Sequence, residues 1–378
     1  MEAKQSVIRS VPICPTCGKT PVPRRKRLKS WSIPSTVAPF FGAALLLGSG
    51  LASAQIPEVH LLATGGTISG GESGSLKSDD LVELLPELAG VATTTTEDFS
   101  TIGSSRMTPE LQLRLAQRVR ALFEQRPKLA GIVITHGTDS LEESAFLLDL
   151  LVPAGRPVVF AAAQRPPRQD DSDGARNLMN AIRIAASPDM RGLGVLVTLN
   201  DEIHGARDVR KTHSIAVQAF ASPWVGPLGQ VDNEHIYLFH LPARRLELAS
   251  QSVEPRVSLI RMVAGSDGSQ VRHAVESGAR GIVLEVFGRG NVPPEVFQAV
   301  REARAKEVAV VYTTRTGGGR VELGRDARGV GVISGEDLDG LKARLVLVAA
   351  LPITTDIDTL KMYFRQLSGE VGLAREGN

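Results

Sequence analysis

Short apolar runs closed by glycine turns alternate with helix-period segments from residue 59 onward, and this alternation narrows the fold more than any other feature. Val59-His60-Leu61-Leu62-Ala63-Thr64 runs into Gly65-Gly66 and is predicted as a first buried strand. Residues 109–123 put Leu111, Leu115, Val119 and Leu122 on one helical face, with Pro109 near the start, where its missing N–H does no harm. Gly131-Ile132-Val133-Ile134-Thr135 is the next clear strand, followed directly by a helix over Leu141–Leu151. Residues 157–162 and 194–199 supply two more strands. A strand, turn and helix repeating in this order predict a parallel sheet with crossover helices. Aromatic residues are only 4% of the chain, so Val, Leu, Ile and Ala must build the core. That suits a parallel sheet covered by helices.

The pattern breaks near residues 240–256, where Pro242-Ala243-Arg244-Arg245 and Glu254-Pro255-Arg256 read as a connector. Beyond it the alternation resumes on a smaller scale, with strands expected at 257–262, 281–286 and 308–312 and helices at 268–278 and 293–305. The expected class is therefore α/β: a larger N-terminal domain with a mostly parallel sheet flanked by helices, and a smaller C-terminal α/β domain. The expected boundaries are 55–245 for the first domain, 246–256 for the linker and 257–378 for the second.

Residues 1–54 are expected to be a signal peptide instead of a part of the fold. Arg24-Arg25-Lys26-Arg27-Leu28-Lys29 precedes the apolar stretch Val37–Leu47, and Leu51-Ala52-Ser53-Ala54 carries the small residues that signal peptidase reads. The apolar stretch falls short of the ~20 residues that span a bilayer. Both cysteines, Cys14 and Cys17, lie upstream, so a chain starting at Gln55 contains none and draws no stability from disulfides. Outside the basic segment the charge is near balance, which offers nothing to nucleic acid. No His-x-x-x-His pair occurs, and neither a metal nor another cofactor is expected.

In open parallel sheets ligands bind beyond the carboxyl ends of the strands, and the polar clusters gather there. They are Thr64-Gly65-Gly66-Thr67-Ile68-Ser69, Thr101-Ile102-Gly103-Ser104-Ser105, Thr135-His136-Gly137-Thr138-Asp139-Ser140 and Gly205-Ala206-Arg207-Asp208-Val209-Arg210-Lys211-Thr212. Each alone has an ordinary explanation: a tight turn, a loop, a helix cap or a solvated charge. Their joint occurrence in this order is what carries information.

The combination resembles the bacterial-type L-asparaginase family over nearly all of the chain after residue 55, and the signal pattern resembles its exported type II branch. The strongest likenesses are Ala63-Thr64-Gly65-Gly66-Thr67-Ile68 and Ile134-Thr135-His136-Gly137-Thr138-Asp139. They are followed in family order by Gly205-x-Arg207-Asp208-Val209-x-Lys211-Thr212 and Gly288-x-Gly290-Asn291. The resemblance implies that Thr67 attacks the side-chain amide of L-asparagine, giving an acyl-enzyme and ammonia. It also implies a second cluster of Thr138, Asp139 and Lys211, in which Lys211 eases proton movement at Thr138; such a base must be partly neutral. Asp139 would bind the substrate's α-ammonium and Ser104 its α-carboxylate. Backbone N–H groups near Thr67 and Ala163 would stabilise the oxyanion. Asn291 and Glu322 match residues that reach a neighbouring subunit's site in relatives, which implies a homo-oligomer, a dimer of dimers with shared sites.

Two departures stand out. The tyrosine that exported relatives carry just after the nucleophile is missing, since the only tyrosines are Tyr237, Tyr312 and Tyr363. Ser69, Ser75 or an activated water remain as alternatives for its role. Ser105 stands where relatives accepting glutamine commonly carry a glutamine, which leaves the balance between the two amides open. Two competing readings are the asparaginase-like subunit of a transfer-RNA amidotransferase and a periplasmic amino-acid binding protein without catalysis. The signal pattern and the missing basic patch argue against the first. Retention of Thr67, Thr138, Asp139 and Lys211 together argues against the second.

Overall fold

The computed structural model describes residues 56–70 and 76–369. The expected signal peptide at 1–54, with Cys14 and Cys17, lies outside the described residues. From its N-terminal end the chain forms a strand (β1, Glu58–Ala63), a 3-10 turn at 67–69, a short helix (α1, Ser78–Glu83) and a second strand (β2, Thr93–Asp98). A long helix (α2, Pro109–Gln125) follows, capped by the Thr108 hydroxyl accepting from Leu111 N–H at 3.4 Å. The alternation continues with β3 (Leu129–Thr135), α3 (Leu141–Leu151), β4 (Val158–Ala161), α4 (Gly174–Ala186) and β5 (Val195–Leu199). Short strands complete this half: β6 (Glu202–Gly205), β7 (Arg210–Lys211), β8 (Phe220–Ala221), β9 (Gly229–Asp232) and β10 (His235–Leu238).

The principal sheet has eight strands in the order β10-β9-β6-β5-β4-β3-β1-β2. β2, β1, β3, β4 and β5 run parallel, while β6, β9 and β10 are antiparallel. The sheet is thus mostly parallel and flanked by helices, as its sequence pattern predicts. β2 escapes that pattern because Thr93–Thr96 are polar and no apolar run marks them. An edge position, where these side chains are only partly covered, tolerates such a strand.

After residue 256 come β11 (Val257–Arg261), α5 (Ser269–Glu276), β12 (Gly281–Val286), α6 (Pro294–Ala305), β13 (Ala309–Thr314), α7 (Arg325–Gly329), β14 (Ile333–Ser334), α8 (Gly340–Ala350) and α9 (Ile357–Ser368). The first, second, third and last of the strands form a smaller parallel sheet in sequence order. On one face of the large sheet, α2 and α3 bury Leu115, Val119, Phe146 and Leu147, and the same core runs on through Leu345–Ala350 of α8 into β12 and β13. On the opposite face α1 and α4 pack Leu81, Leu178 and Ile182.

Register decides where function can sit. Asp98, Ala63, Thr135, Ala161 and Thr198 lie in one row across β2, β1, β3, β4 and β5, so the loops after these strands emerge side by side. From adjacent β1 and β3 the chain departs in opposite directions, to β2 and to β4. Their carboxyl ends therefore open a crevice of the kind in which α/β sheets bind ligands.

Candidate active site

Every polar cluster singled out in the N-terminal half lies at this crevice or reaches it. The β1 end is tied to the β3 end by Thr64, whose hydroxyl donates to the Thr135 carbonyl at 2.7 Å and whose N–H donates to it at 3.2 Å. Thr67 follows at the start of the 3-10 turn, half-buried, with its carbonyl accepting from Gly70 N–H at 2.9 Å. Gly66 makes the turn possible. Its φ of 92° with ψ of −175° is a region essentially restricted to glycine. A Cβ there would sit 2.5 Å from both N and Cα of Gly137. Backbone thus packs on backbone, and the Thr67 turn is pressed against the His136-Gly137-Thr138 loop.

The loop carrying Ser104 completes the floor. A Cβ on Gly137 would meet Ser104 Oγ at 2.5 Å, and one on Gly65 would meet the Ile102 carbonyl oxygen at 2.8 Å. Ser104 is buried; its hydroxyl accepts from Asp139 N–H at 3.1 Å, and its carbonyl accepts from the Ser140 hydroxyl at 2.6 Å. This loop follows β2, the strand that periodicity does not reveal.

Thr138 is also buried, and its Oγ1 accepts from Lys211 Nζ at 2.8 Å. The same ammonium pairs with Asp139 Oδ1 at 3.3 Å. Lys211 is 17% exposed in its side chain and Asp139 is 66% exposed, so a covered threonine hydroxyl and an accessible carboxylate share one amine. Lys211 comes from β7, which pairs with β8. Its backbone N–H donates to Glu142 Oε2 at 3.0 Å, and burial pushes the Glu142 carboxyl above its ordinary range. Between the motifs, His136 is fully buried, edge-on to Phe160 with ring centroids 5.6 Å apart, and its Nδ1 lies 2.7 Å from the Gly137 carbonyl. Burial lowers its pKa to about 4.

Ala163 stands fully buried just past β4. The residues after it are held by Asp173, whose carboxylate accepts from Gln164 N–H at 3.1 Å and Arg165 N–H at 2.9 Å. Asn177 of α4 donates to Asp173 at 3.1 Å and to the Ala162 carbonyl at 2.9 Å. A Cβ on Gly174 would lie 3.5 Å from Ile68 and 3.6 Å from the Ala163 methyl, which brings this loop beside the Thr67 turn. Asp173, Asn177 and Glu142 carry no motif of their own, and only contacts in three dimensions reveal them.

The segment after the turn is partly described. Leu76 N–H donates to the Ser69 carbonyl at 2.6 Å. Ser69 is 1% exposed, and its hydroxyl has no hydrogen-bond partner among the described residues. Ser75, the other serine weighed for the missing tyrosine's role, lies outside the described residues, as do residues 71–74.

Asn291 and Glu322 find partners in the C-terminal part, at Phe287 and Arg289. Asn291 exchanges two backbone hydrogen bonds with Phe287, both at 3.0 Å. Glu322 N–H donates to the Arg289 carbonyl at 2.7 Å, and its carboxylate pairs with Arg289 at 2.6 Å. Both residues are exposed. Among the described residues, no hydrogen bond joins either of them to Thr67, Thr138, Asp139 or Lys211.

Chemically, the crevice offers a half-buried hydroxyl on a tight turn, a second hydroxyl held by an amine, and an accessible carboxylate. Comparison with known proteins identifies the family. The family model described as Asparaginase, N-terminal matches residues 58–244, and that described as Glutaminase/Asparaginase C-terminal domain matches residues 256–364. A probable periplasmic L-asparaginase of Haemophilus influenzae is 35% identical over 336 residues, covering 84% of this chain and 95% of its own length. A glutaminase-asparaginase of Pseudomonas fluorescens biotype A is 34% identical, covering 82% and 90% respectively. The crystal structure of a probable cytoplasmic L-asparaginase from Campylobacter jejuni superimposes with a TM-score of 0.77 at 32% identity, covering 82% of this chain and 99% of its own. The chain belongs to the asparaginase family, in both its N-terminal and its C-terminal parts.

Proposed function

We propose that this protein hydrolyses the side-chain amide of L-asparagine to L-aspartate and ammonia, with L-glutamine as a slower second substrate. Thr67 Oγ1 attacks the amide carbon, the amide nitrogen leaves as ammonia after taking up a proton, and water then cleaves the resulting ester. A threonine hydroxyl needs help to lose its proton. The observation that carries the reading is the Lys211–Thr138 hydrogen bond of 2.8 Å, set in the loop against which the Thr67 turn is packed. It supplies a proton-handling pair beside the nucleophile.

In this reading Asp139 holds the α-ammonium, and its exposure leaves it accessible to an incoming amino acid. Ser104 takes the α-carboxylate, with the N-terminal end of α3 adding favourable potential for negative charge. Backbone N–H groups near Thr67 and Ala163 receive the oxyanion. Asn291 and Glu322 act in the site of a second copy, within a dimer of dimers. The signal pattern at 1–54 and the relative named as periplasmic support export; a relative named as cytoplasmic shows that the family also works elsewhere.

The test is ammonia release by the purified chain starting at Gln55, with asparagine and glutamine assayed in parallel. Release from asparagine at more than about tenfold the glutamine rate is expected; an extra methylene alone is worth about 10–200-fold in a tight pocket. A folded sample that releases no ammonia from either amide would instead make the protein a binding protein or an enzyme for another amide.

A further inference from the structure

A buried lysine outside the crevice holds together the two segments that form the Lys211–Thr138 pair. Lys342, on α8, is 1% exposed. Its Nζ donates to the carbonyl of Glu142 at 3.0 Å and to the carbonyl of Ala206 at 2.6 Å, and lies 5.0 Å from the centre of the Phe146 ring. Glu142 belongs to the first turn of α3, directly after Thr138-Asp139. Ala206 belongs to the segment that runs into Lys211. The ammonium therefore stitches the backbone carrying Thr138 to the backbone carrying Lys211.

Two further contacts make the arrangement specific. The Glu142 carboxylate accepts from Lys211 N–H at 3.0 Å, so moving Glu142 moves Lys211. Asp339, the cap of α8, accepts from Lys342 N–H at 2.8 Å and pairs through its other oxygen with Arg210 Nε at 3.2 Å. Helix α8 thus grips the residue next to Lys211 as well. A charge taken wholly out of water costs several kcal/mol unless partners compensate. Burial indeed opposes the charged form of Lys342, while Glu142, Asp339 and Asp208 favour it. A bare hydrophobic contact between α3 and α8 would need no such charge.

We propose that Lys342 is a positioning residue, which sets the distance between Lys211 Nζ and Thr138 Oγ1 by pinning the backbones of Glu142 and Ala206. The inference rests on the proposed role of that pair in amide hydrolysis. It places part of the activity's control in α8, within the segment matched by the C-terminal family model.

Lys342→Met keeps the length and the packing and removes the donors. A displacement of about 1 Å costs on the order of a hundredfold in rate, so kcat per folded molecule is expected to fall about ten- to hundredfold. KM should stay within about threefold, because Lys342 touches no substrate group. In its crystal structure the 2.8 Å Lys211–Thr138 contact should open beyond hydrogen-bond reach. Added to Lys211→Met, the substitution should slow the residual rate by no more than about twofold, since the two act through one contact.

A purely structural role would lower the melting temperature but leave kcat per folded molecule and the contact unchanged, and that result overturns the proposal. An undiminished effect in the Lys211→Met background overturns it equally. Should the methionine variant not fold, Lys342→Gln is read in the same way, with an expected fall in kcat of about threefold to tenfold. An inactive wild type would sink the asparaginase reading instead. The Lys211–Thr138 distance in the variant's crystal structure would then still decide the positioning role by itself.

Discussion

Cutting the Thr67 side chain back to its Cβ separates chemistry from folding. Thr67 packs by its backbone, through Gly66 against Gly137, so its hydroxyl contributes little to that turn's position. Thr67→Ala is expected to lower ammonia release by at least about a thousandfold, as loss of a nucleophile does elsewhere. The circular dichroism spectrum and melting temperature should remain those of the wild type. A Thr67→Ala protein with ordinary turnover would remove Thr67 from the nucleophile's role. His136 allows a second test at this scale. Its pKa of about 4 lies below the ordinary 6.5, so the unfolded chain binds the proton more readily. Stability from this group is fully present above pH 6.5 and is lost as pH falls through 6.5 towards 4. The upper limit is about 3 kcal/mol. His60, also lowered, chiefly by burial, contributes in the same direction. His136→Gln keeps a donor for the Gly137 carbonyl but does not titrate. Its stability, followed by denaturant unfolding at successive pH values, should therefore fall less steeply than the wild type's in that window. Parallel curves would mean that His136 is not held neutral by the fold.

Among the elements, the glycines of the turn and the Asp173 clasp set the shape of the crevice. Gly66→Ala would force a Cβ to within 2.5 Å of Gly137 at a backbone conformation of φ 92°. The expected cost is about 3 kcal/mol of stability, with loss of most activity, because the Thr67 turn must lift from its neighbour. A variant with unchanged melting temperature and kcat would show that the two loops can part without consequence. Asp173→Ala should free the Gln164 and Arg165 N–H groups, lower stability by about 1–3 kcal/mol and reduce kcat more than it changes KM. These elements also mark what can be read from one sequence. β1 and β3 announce themselves as short apolar runs closed by a glycine turn, and α2 by an apolar stripe on one face after its proline start. β2 does not, since an edge strand can be threonine-rich. α8 does not, since Leu345–Ala350 is buried all round and has no polar face to mark a period. Thr67, Thr138, Asp139 and Lys211 are legible as motifs. Glu142 and Lys342 are single polar residues whose partners lie far away in the chain, and only folding makes them neighbours. Asp173 clasps nearby residues, but through backbone N–H groups that leave no mark in the sequence.

For the whole molecule, the question is whether one chain holds a complete site. Asn291 and Glu322 both stand exposed in the C-terminal part, with Glu322 paired to Arg289 at a position 78% open on the arginine side. A pair so open to solvent contributes little to stability, so Glu322 can exchange Arg289 for another partner at small cost. If these residues complete the crevice of a second copy, Glu322→Ala should raise KM for asparagine about tenfold or more while leaving the melting temperature unchanged. Mixing makes the point sharper. Thr67→Ala and Glu322→Ala subunits, allowed to exchange, form hybrids in which one of each pair of shared sites receives both an intact Thr67 and an intact Glu322. Activity at low asparagine should then rise well above the average of the two parents, and only in the fraction that elutes as an oligomer in size-exclusion chromatography. A strict average after proven exchange would place each site within a single chain. Glu322 would then be a surface carboxylate paired with Arg289, and the C-terminal part would act on the chemistry only from behind, through α8 and Lys342.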